Sequence, residues 1–294
     1  MVIQIIPTPE QIEEWIKAYV PEKEIFFLKE EDLPLFEEEL RDVLVIPRDE
    51  FFSHKSYQTI QLINSYEFWQ LSQEAAFAVI APPSWVMDLK AAKRKELLAL
   101  QVELNRGLML PQSLFLTEDL IPEAFKVSSN GEAFVILQKA LWDELPVSEK
   151  ESLLIKWANE WETAESEPIP DFAPEHIKKF AASYPSFGGS NCLSTTLFAF
   201  TGAEWLIDEW VHPETFKHSL KRSNLVRVEG EPSKGDVVTW VNEAGVIQHA
   251  SYCLGNGLFF NKNGQTFFNP YKILKWEDLK EHWRAYQSHL YRVK

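Results

Sequence analysis

Cysteine is scarce in this chain: Cys192 and Cys253 are the only two among 294 residues. Two cysteines build no disulfide framework, and neither stands in a C-x-x-C pair that would suggest zinc or a redox dithiol. Glycine is sparse as well, and no glycine-rich loop of the kind that cradles phosphate occurs, so no nucleotide cofactor is implied. Positive charge is in deficit, with 29 Lys and Arg against 44 Asp and Glu and a formal net charge of −15. Such a surface repels phosphate backbones and anionic headgroups, which excludes nucleic acid and membrane surfaces as expected partners. Long apolar runs are missing, and the opening residues lack a basic segment before Pro7. The expectation is a cytoplasmic protein. His212, His218, His282 and His289 form no ligand pattern such as H-E-x-x-H, and the acidic runs at 30–32 and 37–39 flank apolar positions as solvated helix faces do, so no metal site is expected.

What the chain has in quantity is apolar and aromatic residues, 45% and 13% respectively, enough for two cores in a chain of this length. Residues 1–163 repeat apolar positions at helical spacing, as in Ile12, Trp15 and Ile16, and helices are expected at 33–40, 88–105 and 148–161. The runs at 25–28, 43–46 and 77–80 are apolar throughout and fit either strands or buried helix ends. This half is expected to be a mainly helical domain of unknown role. Trp15, Trp69, Trp142, Trp157 and Trp161 keep the helical spacing and are expected in its core rather than on a sugar-stacking surface. Between 164 and 174 prolines and acidic residues replace the periodic pattern, which marks a stiff linker.

Residues 175–294 read differently. A helix is expected from about Pro174 to Ala182, a second from Cys192 and a third over 203–211. From Lys234 a meander of strands is expected at 236–241, 246–254, 258–262 and 265–268, with turns at Gly255-Asn256-Gly257 and Asn263-Gly264. A helix and a short strand close the chain.

A thiol becomes a nucleophile by losing its proton, and the first turn of a helix favours that through its unsatisfied N–H groups and dipole. Cys192 follows Ser190 and Asn191, both good helix caps, while Leu193, Leu197 and Phe198 anchor the helix in a core. Cys253 has no such setting and is expected to be a small buried apolar residue. His249 lies near the start of a strand 57 residues on, where an imidazole can meet a helix-borne thiol. A third group must hold the ring at the nitrogen facing away from the sulfur. Asn261 lies inside the next strand, whereas Asn263 precedes a glycine and suits the turn.

Together, Gly235-Asp236, His249, Gly255-Asn256-Gly257 and Asn261 resemble in order and spacing the second half of the NlpC-type cell-wall cysteine peptidases. Tyr184, Phe187-Gly188-Gly189 and Cys192 resemble the aromatic-glycine loop and nucleophile of the first half. The resemblance spans about residues 184–268. It implies an α+β, papain-like C-terminal domain in which the Cys-bearing helix packs on an antiparallel sheet. It further implies catalysis by Cys192, His249 and Asn261 without a cofactor, and substrate contacts from Tyr184, Gly188, Gly189 and Asn191. Asn191 stands where those enzymes usually carry an Asp that binds a free amine, and Leu193-Ser194 replaces their Ser-Gly. The expected function is therefore a cysteine amidase or peptidase acting on a small peptide or another amide or acyl substrate, with a cell-wall-derived peptide as one candidate. An acyltransferase using the same three residues, and a binding protein on a degenerate peptidase fold, are the alternatives.

Overall fold

The computed structural model of the protein describes residues 2–294 and shows an α+β fold, 41% helical and 22% strand, in which every strand pair among the described residues is antiparallel. Its first elements are strand β1 (Ile3–Gln4) and helix α1 (Pro9–Tyr19). The chain divides into two compact units: Trp15–Trp157 forms one, while the residues before Trp15 join Ala158–Lys294 in the other.

In the first unit, the three undecided apolar runs are strands, β2 (Glu24–Leu28), β3 (Leu44–Pro47) and β4 (Phe77–Ala81), joined in the order β2-β4-β3. Every residue of β2 is buried, which is why its sequence shows no alternation. Between and after them lie the short helices α2 (Arg48–Ser53), α3 (Ile60–Ser65) and α4 (Trp85–Asp88), then α5 (Ala91–Glu103). A second sheet, β5 (Met109–Pro111), β6 (Lys126–Ser129) and β7 (Glu132–Ile136), has the order β5-β7-β6. Its β6–β7 hairpin turns on Asn130-Gly131, both at positive φ as a two-residue turn requires. Helix α6 (Lys139–Glu144) and the start of α7 (Val147–Trp161) complete the unit. The unit carries six strands beside its helices, three of them at the apolar runs that fitted either strands or buried helix ends. The helix expected at 33–40 is two 3₁₀ turns, the first containing Pro34, which cannot donate an intrahelical bond. Trp15 and Trp142 are buried as expected, but Trp69 is half exposed.

The second unit begins inside α7. Its segment 164–174, expected as a linker, is tied down. Strand β8 (Glu165–Ser166) pairs with β1, and the Glu167 N–H donates to the Ile273 carbonyl at 2.9 Å. Next come α8 (Glu175–Lys178), α9 (Cys192–Thr201) and α10 (Pro213–Arg222). The helix expected at 203–211 is only a 3₁₀ turn over Glu204–Asp208, and α10, opened by a proline in its first turn, was not anticipated. Strands β9 (Leu225–Val228), β10 (Val237–Val241), β11 (Ile247–Gly255), β12 (Leu258–Asn261), β13 (Lys272–Lys275) and, after helix α11 (Trp276–His282), β14 (Gln287–Val293) form one sheet ordered β13-β12-β11-β10-β14-β9. The strand expected at 265–268 is a turn instead. Asn269 Oδ1 accepts from both the N–H and the hydroxyl of Thr266, and Thr266 Oγ1 accepts from the Phe268 N–H. These side chains take the backbone groups a ladder would have used.

Helix α9 lies on one face of this sheet. Leu193, Leu197 and Phe198 pack with Ala250, Tyr252 and Leu254 of β11, with Phe260 of β12 and with Ile273 of β13. Gly202 ends the helix in the left-handed region at φ 72°, its N–H returning to the Phe198 carbonyl. The alternate residues of β11 turn to the other face. Cys253 packs there with Val238, Trp240, Phe259 and Leu279, and is fully buried, an apolar core residue in behaviour.

Candidate active site

Cys192 is the first residue of α9, placed there by a cap on both sides of Asn191. The Asn191 Oδ1 accepts from Ser194 N–H at 3.0 Å, Ser194 Oγ accepts from Asn191 N–H at 2.9 Å, and Asn191 Nδ2 donates to the Val211 carbonyl at 2.8 Å. The side chain assigned to substrate binding is thus engaged at both ends in holding the helix start. Cys192 as a residue is 8% exposed. Burial pushes the thiol up to about 11, against the opposing pull of the Ala250 N–H, the Lys262 charge, and the N–H groups of Leu193 and of Cys192 itself. Its sulfur therefore meets β11 at the amide directly following His249.

His249 lies in β11 beside Trp240 of β10. Its Nε2 is 2.7 Å from Asn261 Oδ1 and 3.2 Å from Ser251 Oγ, and the Ser251 hydroxyl also bonds Asn261 Oδ1. Because Asn261 presents an oxygen, Nε2 carries the hydrogen and Nδ1 keeps its lone pair. That Nδ1 is buried without a hydrogen bond, so no such bond joins ring and thiol. The Trp283 indole stacks on the imidazole, centroids 4.1 Å apart and planes at 10°, with Trp240 at 5.3 Å on a tilt. Sealed in this way, the ring is fully buried. Loss of hydration holds it down at about 3, only partly offset by the bond to Asn261. In this arrangement thiol and imidazole are both neutral.

Of the remaining expected residues, Tyr184 is buried, its carbonyl accepting from Gln11 Nε2 and its phenol pushed up to about 12 by burial. Gly189, at φ 129°, donates its N–H to the Gln265 carbonyl at 2.9 Å, which ties the loop before α9 to the turn after β12. Gly188 is half-buried, and the neighbouring Phe187 is exposed. Asn263 is more than a turn residue. Its Oδ1 accepts from Asn261 Nδ2 at 2.7 Å, and its own Nδ2 donates to Glu162 Oε1 at 2.6 Å.

Sequence reasoning missed four contributors. Ser251 had a legible signal, since on a strand the residue two after His249 shares its face. Lys262 sits at the end of β12, wholly buried, its Nζ donating to the Gly264 and Thr266 carbonyls at 2.9 Å each. Burial lowers it to about 7, while the charges of Glu162 and Cys192 act in the other direction. Neither its depth nor that of Glu162, 101 residues before Asn263, is written in local pattern. Trp283 lies in the turn after α11, 34 residues beyond His249, and nothing in its local sequence marks it as the partner of that ring.

Among the described residues no three His, Cys, Asp or Glu side chains are grouped to hold a metal ion, and no helix is long and apolar enough to cross a membrane. No protein-family model, curated protein or solved structure matches this chain.

Proposed function

We propose that this protein is a cysteine hydrolase of papain-like type that cleaves an amide bond through Cys192, His249 and Asn261. The observation that carries the reading is the division of labour on His249: Nε2 is held by Asn261 at 2.7 Å, while Nδ1 has a lone pair and no partner. A base must have one nitrogen fixed and the other open, and a ring used only as a structural bridge would have spent both. The helix-start position of Cys192 and the nearby Lys262 ammonium favour a thiolate, in opposition to burial.

In the proposed reaction the thiol proton passes to Nδ1 as sulfur adds to the substrate carbonyl. The proton then goes to the departing amine as the C–N bond breaks, leaving a thioester on Cys192. Water, deprotonated by the same imidazole, releases the acid and restores the thiol. The Cys192 N–H, at the helix start and directed toward its own sulfur, is the proposed donor for the oxyanion once the sulfur has added to the carbonyl. An amine or alcohol in place of water would make the same intermediate an acyl donor. Trp283 keeps water from the His249–Asn261 bond, which holds the ring but also leaves it sealed, so substrate entry requires the indole or the thiol to shift.

The sealed pair favours a second reading, a non-catalytic domain that retains the three residues as packing. One experiment separates them. A fluorogenic amide panel is assayed with wild type and Cys192→Ala, alongside the rate of Cys192 carboxamidomethylation by peptide mass spectrometry. The proposal expects turnover that vanishes in a folded Cys192→Ala protein, and Cys192 alkylation, slow in the resting protein because the thiol is buried and neutral, that a turned-over amide slows further by competition. No turnover of any amide by the folded wild type, with alkylation that no amide alters, would favour the packing role.

A further inference from the structure

The orientation of Asn261 decides which nitrogen of His249 carries the hydrogen, and an amide can turn either its oxygen or its NH₂ toward a ring. Something must choose. Asn261 Nδ2 donates to Asn263 Oδ1 at 2.7 Å, and Asn263 Nδ2 donates to Glu162 Oε1 at 2.6 Å. An ionised carboxylate only accepts hydrogen bonds, so it admits Asn263 in one orientation alone, NH₂ toward Glu162. This leaves the Asn263 oxygen for Asn261, which must answer with its own NH₂ and give its oxygen to His249 Nε2.

We infer that Glu162 is a positioning residue for His249, setting its tautomer across two asparagines so that Nδ1 stays an open acceptor. The carboxylate is itself well held. Lys272 Nζ pairs with Oε1 and also donates to the Thr163 carbonyl at 2.7 Å, while Asn269 Nδ2 donates to Oε2 at 2.8 Å. Asn269 in turn is fixed through its oxygen by Thr266. Only 12% of the Glu162 side chain and 5% of that of Lys272 are exposed, so water has little access to either. Every amide of the chain therefore has its polarity dictated by an anion at one end, without any group being free to reverse. The reversed chain would place the Asn261 NH₂ against the ring, move the hydrogen to Nδ1 and remove the base.

This inference rests on the proposed role of His249 as a base, yet its first readout is independent of turnover. In ¹⁵N-labelled protein, the His249 ring nitrogens report the tautomer directly: one protonated Nε2 and one bare Nδ1 are expected in wild type. In Glu162→Ala the carboxylate is gone and Asn263 is free to turn. The two nitrogen resonances should then move toward each other as the Nδ1–H tautomer is populated, and turnover should fall by about a hundredfold, the direction expected when a catalytic imidazole holds the wrong tautomer. Glu162→Gln, able to keep an oxygen at the Oε1 position, should restore the wild-type ¹⁵N pattern. If Glu162→Ala does not fold, Asn263→Ala cuts the same chain at its middle without removing a charge and should give the same mixed tautomer. A folded Glu162→Ala or Asn263→Ala protein with His249 still wholly in the Nε2–H form overturns the inference. If the tautomer shifts but no variant, wild type included, turns over any amide, the relay stands and the hydrolase reading fails.

Discussion

The burial of His249 fixes how this side chain responds to acid. Its imidazole is held at about 3 in the native protein, chiefly by burial, against 6.5 when exposed. Between those values the unfolded chain binds a proton that the native one does not. Stability from this group is therefore complete above about pH 6.5 and is lost as pH falls below it, by up to about 1.4 kcal/mol per pH unit. His249→Gln, which keeps a donor for Asn261 and cannot titrate, should lose correspondingly less on going from pH 6.5 to 5.5 in urea unfolding. Other groups that titrate in that window, Glu67 among them, cancel in the comparison between the two proteins. Equal losses in both would mean that the ring is hydrated and not sealed by Trp283.

At the scale of elements, the start of α9 is what places the sulfur, and its cap is a reciprocal pair between Asn191 and Ser194. Asn191→Ala should cost about 1 kcal/mol, the usual loss for a helix cap, and Asn191→Ser, which can still accept from the Ser194 N–H, should cost less. Thermal unfolding checks the order, and a neutral Asn191→Ala would show that packing of α9 alone holds the helix start. This cap was legible because capping depends on residues three apart. The strands 237–241, 247–255 and 258–261 were legible for a similar reason, with turn residues bracketing each alternating or apolar run. What local pattern could not reveal was competition. At 265–268 the side chains of Thr266 and Asn269 captured the backbone, and the ladder position fell to Lys272–Lys275. At 33–40 a helical period was present, but Pro34 broke it. In the candidate site, the place of Cys192 at a helix start and the pairing of His249 with Asn261 could be read from spacing. Glu162, Lys262 and Trp283 could not, because their roles come from burial and from contacts far along the chain.

For the whole molecule, the largest difference from the sequence reading is where one unit ends and the next begins. Composition placed a linker at 164–174, since proline and acidic residues there interrupt every period. In the structure the change occurs within α7, after Trp157, and the proline-rich stretch belongs to the second unit. The backbone accounts for it. Ile5 N–H donates to the Ala164 carbonyl at 2.8 Å, Ser166 Oγ accepts from the Ile273 N–H at 2.9 Å, and Glu167 N–H reaches the Ile273 carbonyl. Composition says that a segment will not form a helix; it does not say that the segment lacks partners. A flexible linker would be the first place a protease cuts, whereas a paired segment must open first. Limited digestion with a glutamate-specific protease should therefore leave Glu162, Glu165 and Glu167 uncut in the early fragments, although Glu165 is exposed. Hydrogen exchange should agree, with the amides of Ile5, Glu167 and Ile273 protected to a similar degree. Rapid release of a fragment beginning at 163, 166 or 168 would contradict this, and would remove Glu162 from its bonds to Asn263, Asn269 and Lys272, so such a cut should also abolish the single tautomer of His249.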